Sequence, residues 1–191
     1  MEAFFISLAS VSVAEMGDRT QLLSLLLAAR FRRPWPILAG VLLATLANHA
    51  AAGLVGVWFG RLLTPRLLDG IVGASLLIMS LWTLKPDKLG EAGPGAGPKA
   101  GAFLTTLVTF FVAEIGDKTQ IATVALAAAY PTLVMVVAGT TLGMLLANAP
   151  VVFLGKAFAQ RLPLTPIRYA AALLFAGLGL VFLLRGLGLG L

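Results

Sequence analysis

Long apolar runs alternate with short polar stretches along the whole chain. Each run is long enough to cross a bilayer core, which takes about 17–25 helical residues. None shows the period-two alternation of a membrane barrel strand, and lipid offers no hydrogen-bond partner to a free backbone group. The pattern therefore predicts six membrane-spanning helices, at residues 3–29, 37–60, 67–84, 102–129, 132–155 and 167–184.

Composition supports an all-α integral membrane protein embedded in a lipid bilayer. Hydrophobic residues make up 59% of the chain and charged residues only 12%, about half of the 25% that soluble proteins average. The net charge of +6 does not indicate nucleic-acid binding, because the basic residues lie at the ends of apolar runs and form no stripe. The absence of cysteine excludes disulfides and thiolate metal sites.

The two halves of the chain share short matches that keep their order. They predict a three-helix unit at 1–84, a Gly/Pro-rich linker at 85–101 and a second three-helix unit at 102–191. Because three crossings leave the chain on the other side of the membrane, the second repeat must insert upside down, as in many transporters. The matched pairs are Glu15-Met-Gly-Asp18-Arg19-Thr20-Gln21 with Glu114-Ile-Gly-Asp117-Lys118-Thr119-Gln120, Ala39-Gly40 with Ala138-Gly139, Ala47-Asn48 with Ala147-Asn148, and Thr64-Pro65 with Thr165-Pro166.

Lysine and arginine are unequally divided between the two sides of this topology. The linker side is the more basic, so we expect the linker in the cytoplasm and both termini outside a bacterial inner membrane. The linker side carries Arg30, Arg32, Arg33, Lys85, Lys88, Lys99, Lys156, Arg161 and Arg168, and the other side carries Arg61, Arg66 and Arg185.

The twin acidic motifs lie near the middle of the first and fourth runs. A charge at the bilayer centre costs at least about 2.5–3.5 kcal/mol, so these carboxylates must face partners or water. In an unbroken helix Glu15 and Asp18 share a face, and Arg19 lies one turn from Glu15 and can pair with it. Residues 3–29 form too long a helix for the hydrocarbon core, which predicts a tilt or a break near Gly17.

The polar side chains of both repeats form an all-oxygen ligand set, which suits hard divalent cations such as Ca²⁺, Mg²⁺ and Mn²⁺. Four carboxylates and two cationic side chains leave two negative charges, which match one divalent cation or two protons and therefore suggest exchange. Asn48 and Asn148 either support the site or hydrogen-bond between helices, and Thr20 and Thr119 either join it or bond to their own helix. Arg19 and Lys118 are interpreted as charge-balancing or gating groups.

The motif pair resembles the signature Glu-x-Gly-Asp-[Lys/Arg]-[Thr/Ser], present once per three-helix repeat, of small cation/proton exchangers. These are relatives of the Golgi manganese and calcium transporter of eukaryotes, and their bacterial members resemble manganese exporters. The resemblance covers nearly the whole chain. It implies export of a divalent cation coupled to entry of protons, or of sodium, with no resident cofactor. It also implies metal ligands at Glu15, Asp18, Glu114 and Asp117, assisted by Gln21 and Gln120.

The leading hypothesis is therefore a secondary active exporter of Mn²⁺, with Ca²⁺ as a second substrate, and not an enzyme. Three other hypotheses remain open at this point: an exporter of organic solutes of the amino-acid type, a cation channel, and an intramembrane protease. The protease would use Asp18 and Asp117 as a dyad that shares a proton. However, each aspartate has a glutamate and a cation beside it, which a dyad does not need.

Overall fold

A computed structural model describes residues 1–85, 101–155 and 163–189, and every regular element in these ranges is an α-helix. The predicted linker lies outside the described residues except for its end residues, 85 and 101. Four of the basic residues also lie outside them: Lys88, Lys99, Lys156 and Arg161. The helices are α1 (Glu2–Glu15), α2 (Arg19–Phe31), α3 (Pro34–Leu62), α4 (Pro65–Thr83), α5 (Ala102–Glu114), α6 (Lys118–Ala129), α7 (Leu133–Leu154) and α8 (Leu164–Gly186).

The first and fourth apolar runs are each broken in the middle, so the predicted disruption of the first run is a break. Gly17 has φ +80° and Gly116 has φ +73°, a left-handed conformation that glycine adopts without steric cost. The residues that follow, Asp18 and Asp117, are extended and occupy the N-cap positions of α2 and α6. Each motif therefore builds a helix end, a sharp turn and a helix start within a few residues.

The other helix ends follow from local backbone chemistry. Arg32 ends α2 in the left-handed conformation with φ 51°, and its N–H donates to the carbonyl of Ala28. Pro34 and Pro65 stand at the first positions of α3 and α4. Proline is favoured there because its φ suits a helix and its missing N–H would have no partner inside the helix.

The helices that carry or neighbour the motifs pack in pairs drawn from opposite halves of the chain. α1 packs on α7, and α3 packs on α5. A Cβ on Gly143 would lie 2.8 Å from the carbonyl oxygen of Leu8, and one on Gly40 would lie 2.9 Å from that of Phe103. Glycine therefore lets both pairs of backbones approach closely, as small residues do between membrane helices.

The remaining long helices, α4 and α8, form a third pair with the same kind of contact. A Cβ on Gly73 would lie 2.8 Å from the carbonyl oxygen of Gly179. Gly56 on α3 has a similar packing role, because a Cβ there would collide with the carbonyl oxygen of Val124 on α6. α8 also reaches the first helix break, because a Cβ on Gly17 would lie 2.7 Å from Leu164 Cδ2.

Helix length and surface character identify a membrane protein. α3, α4, α7 and α8 are each long and apolar enough to span a bilayer, while α5 is a shorter apolar helix. Large apolar side chains are exposed on these helices, among them Val134 at 75% and Leu173 at 72%, which is stable where lipid replaces water. The six-span arrangement in inverted repeats remains a prediction for the broken segments.

Candidate cation site

The two helix breaks meet inside the protein, and there they bring together acidic side chains from both halves of the chain. One carboxylate oxygen from each of Glu15, Asp18 and Asp117 lies within 4.8 Å of the other two. All three residues are buried, with exposures of 0%, 1% and 4%. Three carboxylates this close need positive charge between or beside them, because their mutual repulsion is strong away from water.

Part of that positive charge comes from two ion pairs that cross between the motifs. Lys118 Nζ lies 2.8 Å from Asp18 Oδ1, and an Arg19 guanidinium nitrogen lies 3.0 Å from Asp117 Oδ1. The expected pairing of Arg19 with Glu15 on one helix face was wrong. α1 ends at Glu15 and α2 begins at Arg19, so the two residues belong to different helices.

Glu114, the fourth motif carboxylate, lies outside this three-carboxylate cluster and has its own donors on α3. Thr45 Oγ1 donates to Glu114 Oε1, and Asn48 Nδ2 lies 3.3 Å from Glu114 Oε2. The same amide group donates to the carbonyl of Phe111 at 3.0 Å. The predicted supporting residue Asn48 therefore contacts a motif carboxylate, and both Glu114 oxygens are satisfied by neutral donors.

Glu15 is held more loosely than Glu114. Its Oε1 is 3.5 Å from Asn148 Nδ2, so the second predicted supporting asparagine also faces a motif glutamate. Its Oε2 is buried and has no hydrogen-bond donor among the described residues. A buried carboxylate oxygen without a donor is costly, and a cation would relieve that cost.

The two motif glutamines cap the breaks. Gln21 Oε1 accepts from the N–H of Gly17, and Gln120 Oε1 accepts from the N–H of Gly116, each at 2.8 Å. Gln21 also donates to the carbonyl of Ala147 at 2.9 Å. A carbonyl oxygen has two lone pairs, so capping leaves one for a cation. The predicted role of both glutamines as cation ligands stays a prediction.

The motif threonines differ from each other. Thr119 donates to Asp117 Oδ2 through its hydroxyl at 2.9 Å and through its N–H at 3.1 Å. Thr20 is fully buried, and its hydroxyl has no partner within the described ranges. Thr119 therefore orients a carboxylate of the cluster, while Thr20 makes no corresponding bond.

Sequence reasoning missed two hydroxyl groups that complete this constellation. Thr45 precedes Asn48 by three residues on α3, so helical spacing alone could have placed both on one face. Ser24 on α2 donates to Asn148 Oδ1 at 2.7 Å, and it lies outside the recurring motif. Its only sequence signal is that Thr123 occupies the equivalent position in the second half.

The geometry suits one small divalent cation. Calcium binds oxygen at about 2.3–2.6 Å, so two oxygens on opposite sides of one ion are about 5 Å apart. The 4.8 Å limit on the three carboxylate oxygens falls inside that range. Helix termini add to the field, because α1 ends at Glu15 and α5 at Glu114, and the C-terminal end of a helix carries partial negative charge.

An aspartate dyad is not what the structure contains. Asp18 pairs with Lys118 and Asp117 pairs with Arg19, so each aspartate faces a cationic side chain of the other motif. A protease dyad instead needs one proton shared between two carboxylates. The arrangement is instead one that could hold a metal ion.

Comparison with known proteins agrees with this chemistry. The model of the divalent cation/proton antiporter GDT1 family matches residues 3–91 and 102–189. A Vibrio cholerae protein named "Putative manganese exporter" is 51% identical over 176 residues, which cover 92% of this chain and 87% of that protein. A GDT1-like protein of Synechocystis is 30% identical over 198 residues, with 92% and 93% covered, and GDT1-like protein 4 of Oryza sativa subsp. indica is 29% identical over 206 residues, with 94% and 72% covered. No solved structure matches the chain.

Proposed function

The chain belongs to the GDT1 family of divalent cation/proton antiporters, and we propose that it exports Mn²⁺ from the cytoplasm in exchange for protons, with Ca²⁺ as a second substrate. It is a membrane transporter and not an enzyme. The buried cluster of Glu15, Asp18 and Asp117 supports the proposal most strongly, because it joins both helix breaks and brings one carboxylate oxygen of each residue within 4.8 Å of the other two. The name of the Vibrio relative favours manganese over calcium.

Charge balance supports exchange for protons. Asp18 with Lys118 and Asp117 with Arg19 form two neutral pairs, which leaves Glu15 and Glu114 as the uncompensated carboxylates. One divalent cation in the cluster balances the two negative charges that remain, and so do two protons. With either cargo bound the site is neutral, so the protein can switch between its inward-open and outward-open conformations. An empty site with two negative charges is costly in the low-dielectric membrane interior.

The ligands favour a metal ion over an organic solute. Three carboxylate oxygens within 4.8 Å of one another leave no room for an amino acid between them in this conformation. The contacts of the site are carboxylate, amide, hydroxyl and backbone oxygens, which match hard divalent cations.

We place the two motifs in inverted three-helix repeats. On this arrangement α1 with α2, and α5 with α6, each cross the membrane as one broken segment, and the four long helices supply the other crossings. Two findings support it: the family model matches in two segments, and each motif helix packs on a helix of the other half. Alternating access would then rock one repeat against the other around the carboxylates, with the linker cytoplasmic and both termini outside.

Reconstitution in vesicles tests the function. With an imposed proton gradient, we expect saturable Mn²⁺ transport against its concentration gradient, with protons moving the opposite way. Glu15→Gln and Asp117→Asn should lower the initial rate by about a hundredfold or more, because each removes a charged ligand. Glu2→Gln is the matched control, since Glu2 is exposed at the start of the same helix and should leave transport unchanged.

Three outcomes would contradict the proposal in different ways. Absence of both Mn²⁺ and Ca²⁺ flux would overturn cation transport. Transport only down the cation gradient, without saturation, would establish a channel instead of an exchanger. Cation export that follows a sodium gradient and ignores the proton gradient would overturn proton coupling alone.

A further inference from the structure

Ser24 makes a buried hydrogen bond that connects α2 to α7 beside the site. The residue is fully buried, and its hydroxyl donates to Asn148 Oδ1 at 2.7 Å. It lies beyond the recurring motif, so neither the motif nor the ligand chemistry assigns it a role. Its partner Asn148 is also fully buried and faces Glu15.

The bond fixes which end of the Asn148 amide faces the cluster. Oδ1 accepts from Ser24, so Nδ2 points the other way, where it donates to the carbonyl of Met144 at 3.0 Å and faces Glu15 Oε1 at 3.5 Å. The Met144 carbonyl can only accept, and therefore the two contacts agree on one orientation of the amide. Rotation of the amide by 180° would turn Oδ1 toward the Met144 carbonyl and Glu15 Oε1, so both contacts of Nδ2 would be lost.

The amide orientation in turn determines which Glu15 oxygen is available. Asn148 holds Oε1, while Oε2 is buried and has no donor among the described residues. A carboxylate anchored through one oxygen presents the other in a defined direction. Outer partners that orient metal ligands in this way commonly matter for affinity almost as much as the ligands themselves.

The second half of the chain does not repeat this device. Thr123 occupies the position equivalent to Ser24, but its hydroxyl donates to the carbonyl of Thr119 on its own helix at 2.8 Å. Glu114 is held instead by Thr45 and Asn48 on α3. Equivalent hydroxyls in the two repeats therefore have different partners, and only that of Ser24 reaches an asparagine at the site.

We propose that Ser24 is a positioning residue for cation binding: through Asn148 it anchors one oxygen of Glu15 and leaves the other for the transported divalent cation. The role rests on the proposed function of the same site. Ser24 does not touch the ion. Without its hydroxyl the Asn148 amide can rotate, Glu15 loses its fixed direction, and the site binds the ion less tightly.

The test is the Mn²⁺ concentration dependence of transport by the full chain in proteoliposomes. Ser24→Ala should raise the half-saturating Mn²⁺ concentration about fivefold, the scale of one lost orienting hydrogen bond, and change the maximal rate by less than about twofold. Thr123→Ala is the matched control and should leave the half-saturating concentration unchanged. A purely structural role would instead lower the maximal rate and the melting temperature without changing the half-saturating concentration.

A double-mutant cycle with Asn148→Ala tests whether Ser24 acts through the asparagine. In that background Ser24→Ala should add nothing, because the group that it orients is gone. Ser24→Thr, which keeps a hydroxyl, should restore most of the affinity, and melting temperatures will show whether its extra methyl group disturbs the fold.

The outcomes separate the two proposals. An unchanged half-saturating concentration in a folded Ser24→Ala protein, or fully additive effects with Asn148→Ala, would overturn the role of Ser24 and leave the exchanger standing. Absence of Mn²⁺ and Ca²⁺ transport in the unmodified protein would overturn the proposed function, and the role of Ser24 with it.

Discussion

The two halves of the site share a motif but differ in what surrounds it. Both motifs break a helix at a glycine with positive φ and cap the break with a glutamine. In both, a cationic side chain also pairs with the aspartate of the other half. Yet Glu114 receives donors on both oxygens, while Glu15 Oε2 has none within the described part of the chain. The recurring motif therefore supplies the charges, and the neighbouring helices determine which glutamate keeps a carboxylate oxygen without a hydrogen-bond donor.

The largest expected effect separates these two glutamates. Glu15→Gln should lower the initial Mn²⁺ transport rate by about a hundredfold or more, since Glu15 belongs to the three-carboxylate cluster. Glu114→Gln should lower it by about tenfold, because Thr45 and Asn48 can still hold a neutral side chain in place. Vesicle flux assays measure both changes. Equal losses, or the reverse order, would show that the difference between the halves has no functional weight.

The two cationic side chains that pair across the motifs, Lys118 and Arg19, should differ in their contribution to stability. The Lys118 side chain is 5% exposed and Arg19 is 37% exposed. Lys118→Met should destabilise the protein by about 3 kcal/mol, because it leaves Asp18 buried without that charge. Arg19→Met should cost about 1 kcal/mol or less, because solvent screens that pair.

Thermal melting in detergent checks the order of the two cation variants. The Lys118 variant should melt at the lower temperature, and adding Asp18→Asn should recover part of the loss. A lower melting temperature for the Arg19 variant would show that burial does not set the strength of these pairs.

A smaller effect is expected at Thr45, which donates to Glu114. Thr45→Val keeps the shape and removes the hydroxyl, and a hydrogen bond to a charged group is worth about 1.5–3 kcal/mol. The half-saturating Mn²⁺ concentration and the melting temperature should both change. Thr109→Val is the control, because it removes a bond to the backbone of its own helix and should be nearly silent. A silent Thr45 variant would mean that Asn48 alone holds Glu114.

The smallest expected difference concerns the two break glycines. A Cβ at either position strains a left-handed backbone by about 1–2 kcal/mol. At Gly17 it would also lie 2.7 Å from Leu164 Cδ2, while at Gly116 it meets nothing within 4 Å. Gly17→Ala should therefore melt at a slightly lower temperature than Gly116→Ala. Adding Leu164→Ala should relieve only the Gly17 variant, and relief of both would contradict this packing difference.

Much of this arrangement could be predicted from the sequence because it rests on spacing and charge. The apolar runs predicted the helices, and the motifs predicted where carboxylates would be buried. The first run is longer than the hydrocarbon core, which predicted a tilt or a break near Gly17. Asn48 and Asn148 do lie against the motif glutamates. These features depend on local periodicity and on the cost of charge in lipid.

What the sequence did not reveal depends on the break itself. Treating Glu15 and Arg19 as neighbours on one helix gave the wrong ion pair, because a left-handed glycine redirects the chain between them. Ser24 and Thr45 were missed because hydroxyls are common in membrane helices, and only the packing of α2 on α7 and of α3 on α5 gives these two their partners. The partners of these two hydroxyls follow from how the helices pack on one another, and no short sequence motif indicates them.

If the two motifs form one cation site, anomalous scattering from a crystal grown with Mn²⁺ will show it. We expect a single manganese peak between the helix breaks, in contact with carboxylate oxygens from Glu15, Asp18 and Asp117. Two separate peaks, each held by the residues of one motif alone, would contradict it.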